Sequence, residues 1–307
     1  MFMNIVNKYG IVTKRAFADT FSSENSKILN EILTSVVRSY AVKIRRATDD
    51  GVSLRTECMK AVYNVLEICL GTPPKSFNFE FKRSTAPGTE QLGDRVCSFK
   101  GISPKRFVGE HLPPYEYCSL VNDPRNKYMK QYHIKFAGNV VGGSYGYVNT
   151  DMDRMLRYTI ESLKHGHPVW FGADASDLDF MNYGVFDSRQ FIFEKIFGHR
   201  IQLSKAERIR CQESGPNHAM LFTGVSLNSE NKASNFRIEN SWGSENAQNG
   251  FYNCTIAWFR THVYQVIIQR RFIKHDRELG LALKSDESVE LLPWDPIGCL
   301  AHLKAAS

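Results

Sequence analysis

Asn217-His218-Ala219-Met220-Leu221-Phe222-Thr223-Gly224-Val225, then Arg237-Ile238-Glu239-Asn240-Ser241-Trp242-Gly243 with Gly250-Phe251-Tyr252 close behind, is the stretch around which the chain is organised. Both runs are rich in apolar, β-branched and aromatic residues and bounded by Gly, Asn and Ser, so each reads as a strand. Asn228 to Ser234 between them is polar and suits a hairpin loop. Such a hairpin brings His218 and Asn240 together on neighbouring strands.

A paired imidazole and carboxamide suit thiol-protease chemistry. The imidazole takes the proton of a cysteine, and the thiolate attacks a carbonyl. A third group holds the ring in one tautomer, and an Asn side chain can do this. Trp242 is placed to lie over the Asn–His hydrogen bond and keep water from it. Taken singly, a His in an apolar strand is more often a structural residue, and an Asn beside Ser and Gly more often forms a turn. The conjunction carries the argument.

Asn-His-Ala, an apolar strand, Glu-Asn-Ser-Trp-Gly and Gly-Phe-Tyr together resemble the His and Asn strands of the papain family. The resemblance is tighter to its bleomycin hydrolase and aminopeptidase C branch, the cytosolic cysteine aminopeptidases. Other pieces of it are Lys8-Tyr9-Gly10, Cys69-Leu70-Gly71, Leu120-Val121-Asn122-Asp123-Pro124-Arg125, Val140-Val141-Gly142-Gly143, Val169-Trp170-Phe171-Gly172 and Trp294-Asp295-Pro296. It implies a Cys-His-Asn peptidase acting on peptide substrates, with His218 and Asn240 as catalytic residues. It further implies no metal or organic cofactor, a cytoplasmic setting and a homohexamer.

Composition narrows the other classes. At 307 residues, 42% apolar and 23% charged, the chain can bury a large core in one or two domains. Neither a secretory leader nor an apolar run of ~18 residues is visible, which argues against export and against a membrane span. The seven cysteines are odd in number and scattered, so neither a disulfide framework nor a zinc site is suggested. The net charge of +7 permits nucleic-acid contact. That charge is spread along the chain, however, and Lys43-Arg45-Arg46 and Arg270-Arg271-Lys274 read as solvated faces.

Along the chain, a helix over Met1–Tyr9 stops at Gly10. Apolar spacing from Ile28 to Ile44 predicts a helix. A second follows with Ser53 as its cap and a stripe of Leu54, Cys58, Val62, Val65, Leu66 and Cys69, forming an αα-hairpin. Phe77, Phe79 and Phe81 alternate as a strand, and Ser84 to Lys100 reads as a surface loop. Ser103-Pro104 opens a helix to about His111. Strands are expected at Cys118–Val121, Tyr132–Gly138, Tyr145–Val148, Pro168–Gly172 and Tyr264–Phe272. Helices are expected after Asp151 and over Asp276–Lys284. Ser188 to Phe197 fits either. Leu291 to Ser307 reads as an arm rather than a core element.

Helices dominate before about residue 75 and strands after about residue 130, an α+β pattern. The resemblance supplies the matching picture: a papain-like protease fold with an incomplete helical lobe, a helical insertion and an antiparallel β lobe. Residues 1–23 form a remnant of the helical catalytic lobe and 24–118 a mainly helical insertion. Residues 119–275 form the β lobe with His218 and Asn240, and 276–307 a C-terminal arm.

The family's nucleophile precedes the His, at a helix start, in a Cys-Trp context. No Cys here is followed by Trp. Cys58 and Cys69 read as helix core. Cys97 falls in the expected loop, Cys118 in a short strand, and Cys211 is nearly adjacent to the His. None has the cationic or helix-start setting that a reactive thiol needs. The expectation is therefore a peptidase inactive as given because the nucleophile is absent. The alternative is a non-catalytic pseudoprotease acting as a binding or assembly subunit. His302 to Ser307 also continue past the usual end of the family's arm, which puts the exopeptidase restriction in doubt.

Overall fold

The computed structural model describes residues 1–83, 95–112, 116–140, 145–176, 184–189, 193–199 and 202–298. The chain divides into two compact units, residues 2–113 and residues 114–307 together with Met1.

The first unit holds α1 (Phe2–Tyr9), α2 (Phe21–Glu24), α3 (Lys27–Arg46), α4 (Val52–Leu70), β1 (Phe77–Arg83), β2 (Arg95–Ile102) and α5 (Pro104–His111). Gly10 ends α1 at φ +83°, where a Cβ would strike the backbone of Pro104, so only glycine fits. A reciprocal Thr20–Ser23 capping box starts α2, and Ser103 caps α5 with Pro104 in its first turn.

The helical pair α3–α4 forms as its spacing predicts, but α4 is capped at Gly51 and begins at Val52, two residues earlier than a Ser53 cap would place it. Asp49 accepts from the Gly51 N–H at 2.9 Å and Asp50 from the Val52 N–H at 3.0 Å. Carboxylates in the turn thus satisfy the backbone donors of Gly51, the cap position, and Val52, the first helical residue. The α4 stripe is not core either. None of its residues is fully buried, and Cys58 and Cys69 are half-buried.

The Ser84–Lys100 loop expectation also fails from residue 95 onward; residues 84–94 lie outside the described residues. β2 pairs antiparallel with β1, setting Phe79 opposite Phe99 and Phe81 opposite Cys97. An aromatic strand face needs cross-strand partners, and Cys97 and Phe99 alternate to supply them. Phe77 and Phe107 meet edge to face at 5.3 Å in the small core beneath.

The second unit carries β3 (Tyr117–Val121), β4 (Lys130–Ile134), β5 (Gly146–Asn149), α6 (Met152–Lys164), β6 (Val169–Ala173), β7 (Val185–Phe186), α7 (Phe193–Phe197), α8 (Lys205–Arg210), β8 (His218–Leu227), β9 (Ala233–Glu239), β10 (Phe251–Thr255), α9 (Ile256–His262), β11 (Val263–Gln269), α10 (Arg277–Lys284) and β12 (Ser288–Leu291). Its strands form one sheet in the order β12-β4-β5-β3-β11-β6-β8-β9-β10-β7. From β3 through β10 along that order every pairing is antiparallel. The sheet as a whole is mixed, because β3–β5, β4–β12 and β7–β10 are parallel. The class is the expected α+β, papain-like fold.

One sheet face carries Phe171, Phe222, Phe236 and Val266, closed over by Met155 and Tyr158 of α6 and Trp258 and Phe259 of α9. Phe171 and Phe222 stack at 3.7 Å. Asp151 caps α6 through the Arg154 N–H, as its position predicts.

Three further expectations shift. The strand expected to reach Phe272 stops at Gln269, followed by a 3-10 turn over Arg270–Ile273. α8 was not foreseen, although Ser204 and Glu207 form a capping box that the sequence displays. The tail is less of an arm than expected. Ile297 is 7% exposed in a second apolar cluster, and Arg125 holds Asp295 at 2.9 Å. Cys299 to Ser307, including the extension past the family's usual end, and residues 141–144 lie outside the described residues. Among the described residues no helix is long and apolar enough to cross a membrane.

Candidate active site

The hairpin that carries the site is set by its loop. Asn228 Oδ1 accepts from the Glu230 and Lys232 N–H groups at 3.0 and 2.9 Å, closing the turn. β8 and β9 then pair with Leu221 opposite Glu239 and Phe222 opposite Ile238, with a bulge before Gly224. This register fixes where His218 and Asn240 lie.

Asn240 is not in the strand as expected but one residue past its end. It opens the loop 240–250, and its N–H donates to Gly250 O at 3.1 Å. Its Nδ2 is buried without a hydrogen-bond partner among the described residues. Such a loss costs about 1–3 kcal/mol and marks a side chain held for its other atom.

That other atom is Oδ1. It accepts from the Ser241 N–H at 2.8 Å and lies 2.8 Å from His218 Nε2. The backbone N–H requires an oxygen at this position, which settles the amide's orientation. An amide oxygen only accepts, so His218 carries its proton on Nε2. Nδ1 is then the lone-pair nitrogen, and no hydrogen-bond partner meets it among the described residues. Trp242 stacks on the imidazole at 4.8 Å and 17°, and meets Tyr252 edge-on at 5.8 Å. It thus covers the ring itself, close to where the sequence places it. Asn246 Nδ2 donates to Trp242 O at 2.6 Å and pins the loop that carries the indole.

The two predicted site residues are therefore brought together. The cysteines are not brought to them. Among the described residues no sulfur lies in hydrogen-bond reach of His218. Burial pushes the Cys118 thiol up to about 12, and Cys118 Sγ donates to Ile268 O at 3.5 Å. Burial raises Cys254 as well. Both stay protonated near neutral pH and are poor nucleophiles. Cys211 is exposed at the end of α8, and Cys97 sits in β2 of the other unit.

Sequence reasoning missed the residues behind the imidazole. Buried Asp174 and Ser214 and half-buried Asn217 form a polar knot where β6 ends and β8 begins. Only Asn217, adjacent to His218, gave any local signal.

An α+β fold here presents a histidine braced by an asparagine under a tryptophan, an arrangement suited to thiol-peptidase chemistry. The chain belongs to the Peptidase C1-like family, whose model matches residues 1–298. It is 33% identical to aminopeptidase C of Lactobacillus delbrueckii subsp. lactis over 98% of this chain and 68% of that protein. It is likewise 33% identical to bleomycin hydrolase of Homo sapiens, over 98% and 68%. Among solved structures it is similar to PepW from Lactobacillus rhamnosis, with a TM-score of 0.87 and 30% identity over 97% of this chain and 67% of that one. The chain thus spans about two thirds of the length of these relatives.

Proposed function

We propose that this chain carries the base-and-orienter half of a bleomycin hydrolase-like cysteine aminopeptidase. The observation behind this reading is the 2.8 Å contact of His218 Nε2 with Asn240 Oδ1 beneath Trp242. In the reaction, Nδ1 of His218 takes the proton of a cysteine thiol, and the thiolate adds to the peptide carbonyl. The imidazolium then returns its proton to the leaving amine as the carbonyl reforms, leaving an acyl-enzyme. Water, deprotonated by the same nitrogen, releases the acyl group and regenerates the thiol. Asn240 holds the ring through both proton transfers.

No described cysteine stands where Nδ1 could deprotonate it, which supports reading the chain by itself as inactive. The same observation supports the second reading, a pseudoprotease that binds or assembles. The remaining assignments belong with the first: residues 1–23 as part of a helical catalytic lobe, 24–118 as an insertion, peptide substrates, a cytoplasmic setting and a homohexamer.

The test supplies the thiol. The chain is joined to the cysteine-bearing amino-terminal third of an aminopeptidase C, and release of a fluorophore from an aminoacyl-coumarin is followed. Hydrolysis that falls at least 10³-fold in His218→Ala, with folding retained, is the expected result. Hydrolysis that survives His218→Ala overturns it. A folded hybrid with no hydrolysis favours the pseudoprotease.

A further inference from the structure

Asp174, at the end of β6, is 4% exposed and meets no cationic side chain among the described residues. Neutral donors hold it instead. Oδ1 accepts from the Ser176 N–H at 3.1 Å, from the Ser176 hydroxyl and from Asn217 Nδ2 at 3.0 Å. Oδ2 accepts from the Ser214 hydroxyl, whose oxygen in turn accepts from Tyr264 Oη at 2.7 Å. The Asp174 N–H donates to His262 O at 2.9 Å.

Asn217 completes the knot. Its N–H donates to Ala173 O at 3.0 Å, and its Oδ1 accepts from the Ala175 N–H at 2.9 Å. The next residue is His218, paired in register with Ala173. The backbone that launches the imidazole is therefore clamped to residues 173–175 by three hydrogen bonds, one of them made to the buried carboxylate.

We propose that Asp174 is a positioning residue for His218. Through Asn217 it sets where the imidazole starts, so that Nε2 reaches Asn240 Oδ1. Burying a carboxylate among neutral donors is an expensive way to join two loops for stability alone. It is a rigid one, because an acceptor with two oxygens can hold Ser176, Ser214 and Asn217 together. The inference rests on His218 being the base of the proposed function, but its test reads geometry and not turnover. The two can therefore fail separately.

The readout is the ring N–H of His218 in the ¹⁵N-histidine-labelled full chain, together with a thermal melt. The wild type is expected to show one slowly exchanging Nε2–H resonance. Asp174→Ala is expected to lose it. Asp174→Asn is expected to keep it, because the amide oxygen still faces Ser176 and Asn217 while its NH₂ donates to Ser214. Asp276→Ala removes another buried carboxylate, the cap of α10. It is expected to lower Tm and leave the resonance in place. Asn217→Ala cuts the link to Asp174 and is expected to match Asp174→Ala, which covers the case in which that variant does not fold. An unchanged resonance in folded Asp174→Ala or Asn217→Ala overturns the proposal. So does equal loss in Asp276→Ala, which would make the effect one of general destabilisation.

Discussion

His218 is set apart from an ordinary strand histidine by two contacts. Its strand is ordinary; what distinguishes it is an acceptor that dictates the tautomer and an indole that covers the ring. Both partners were legible in the sequence because they lie within one short hairpin, where local strand and turn signals fix the geometry. The Asp174 knot was not legible. It joins residues 40 or more positions apart, and no local spacing encodes that adjacency. Cysteine burial was also misjudged at this scale, since Cys58 and Cys69 sit on a helix stripe that is only half covered. The thiols give a direct check. In the native chain at pH 8, iodoacetamide should label exposed Cys211 readily. Cys118 and Cys254, buried and with raised pKa, should stay unmodified until denaturant is added. Peptide mass spectrometry reads this, and native labelling of Cys118 as fast as Cys211 would be the contrary result.

Elements were read well where an end signal was explicit and poorly where pairing decided. Gly10, Ser103 and Asp151 each marked a helix end that the structure keeps. β2 carries no local strand signal, because a two-stranded pairing, not propensity, makes it a strand. α8 docks through two side chains: Lys205 Nζ donates to Val263 O, where β11 starts, and Arg208 to Thr261 O in the last turn of α9, both at 2.6 Å. The carbonyl of Thr261 is an orphan of the last helical turn, and the Arg208 guanidinium satisfies it well.

The strongest element-level prediction lies at α10. Asp276 caps it through the Leu279 N–H and also binds Arg154 at 3.0 Å and Tyr158 Oη at 2.7 Å, with its side chain 6% exposed. Burial alone would raise its carboxyl. The hydrogen bonds from Leu279, Tyr158 and Arg154 outweigh it and hold the pKa below the ordinary value. Asp276→Ala should therefore cost about 2–4 kcal/mol at pH 7. A depressed folded-state pKa gives stability that is present above the unfolded value near ~3.9 and lost as pH falls through the folded one. The gap between wild type and variant should then narrow below about pH 4. Urea titrations at the two pH values measure it, and a gap that stays constant would refute the linkage.

For the whole molecule, family and fold were readable from motifs spread along nearly the full chain, and the match over residues 1–298 agrees. What motifs could not give was the course of the tail. β12 joins the sheet beside β4, and Asp295 is gripped by Arg125. Both depend on strand order rather than on local pattern. The peptidase assignment draws on family, fold and site, yet its chemistry passes through one ring. The measurement that tests it most directly is the protonation pattern of the His218 nitrogens in the folded chain at alkaline pH, by ¹⁵N NMR, in wild type and Asn240→Ala. The account predicts a single Nε2–H tautomer with bare Nδ1 in the wild type, and a mixture of tautomers once the Asn240 oxygen is removed. A proton on Nδ1 in the wild type, or a pattern indifferent to Asn240→Ala, would contradict it.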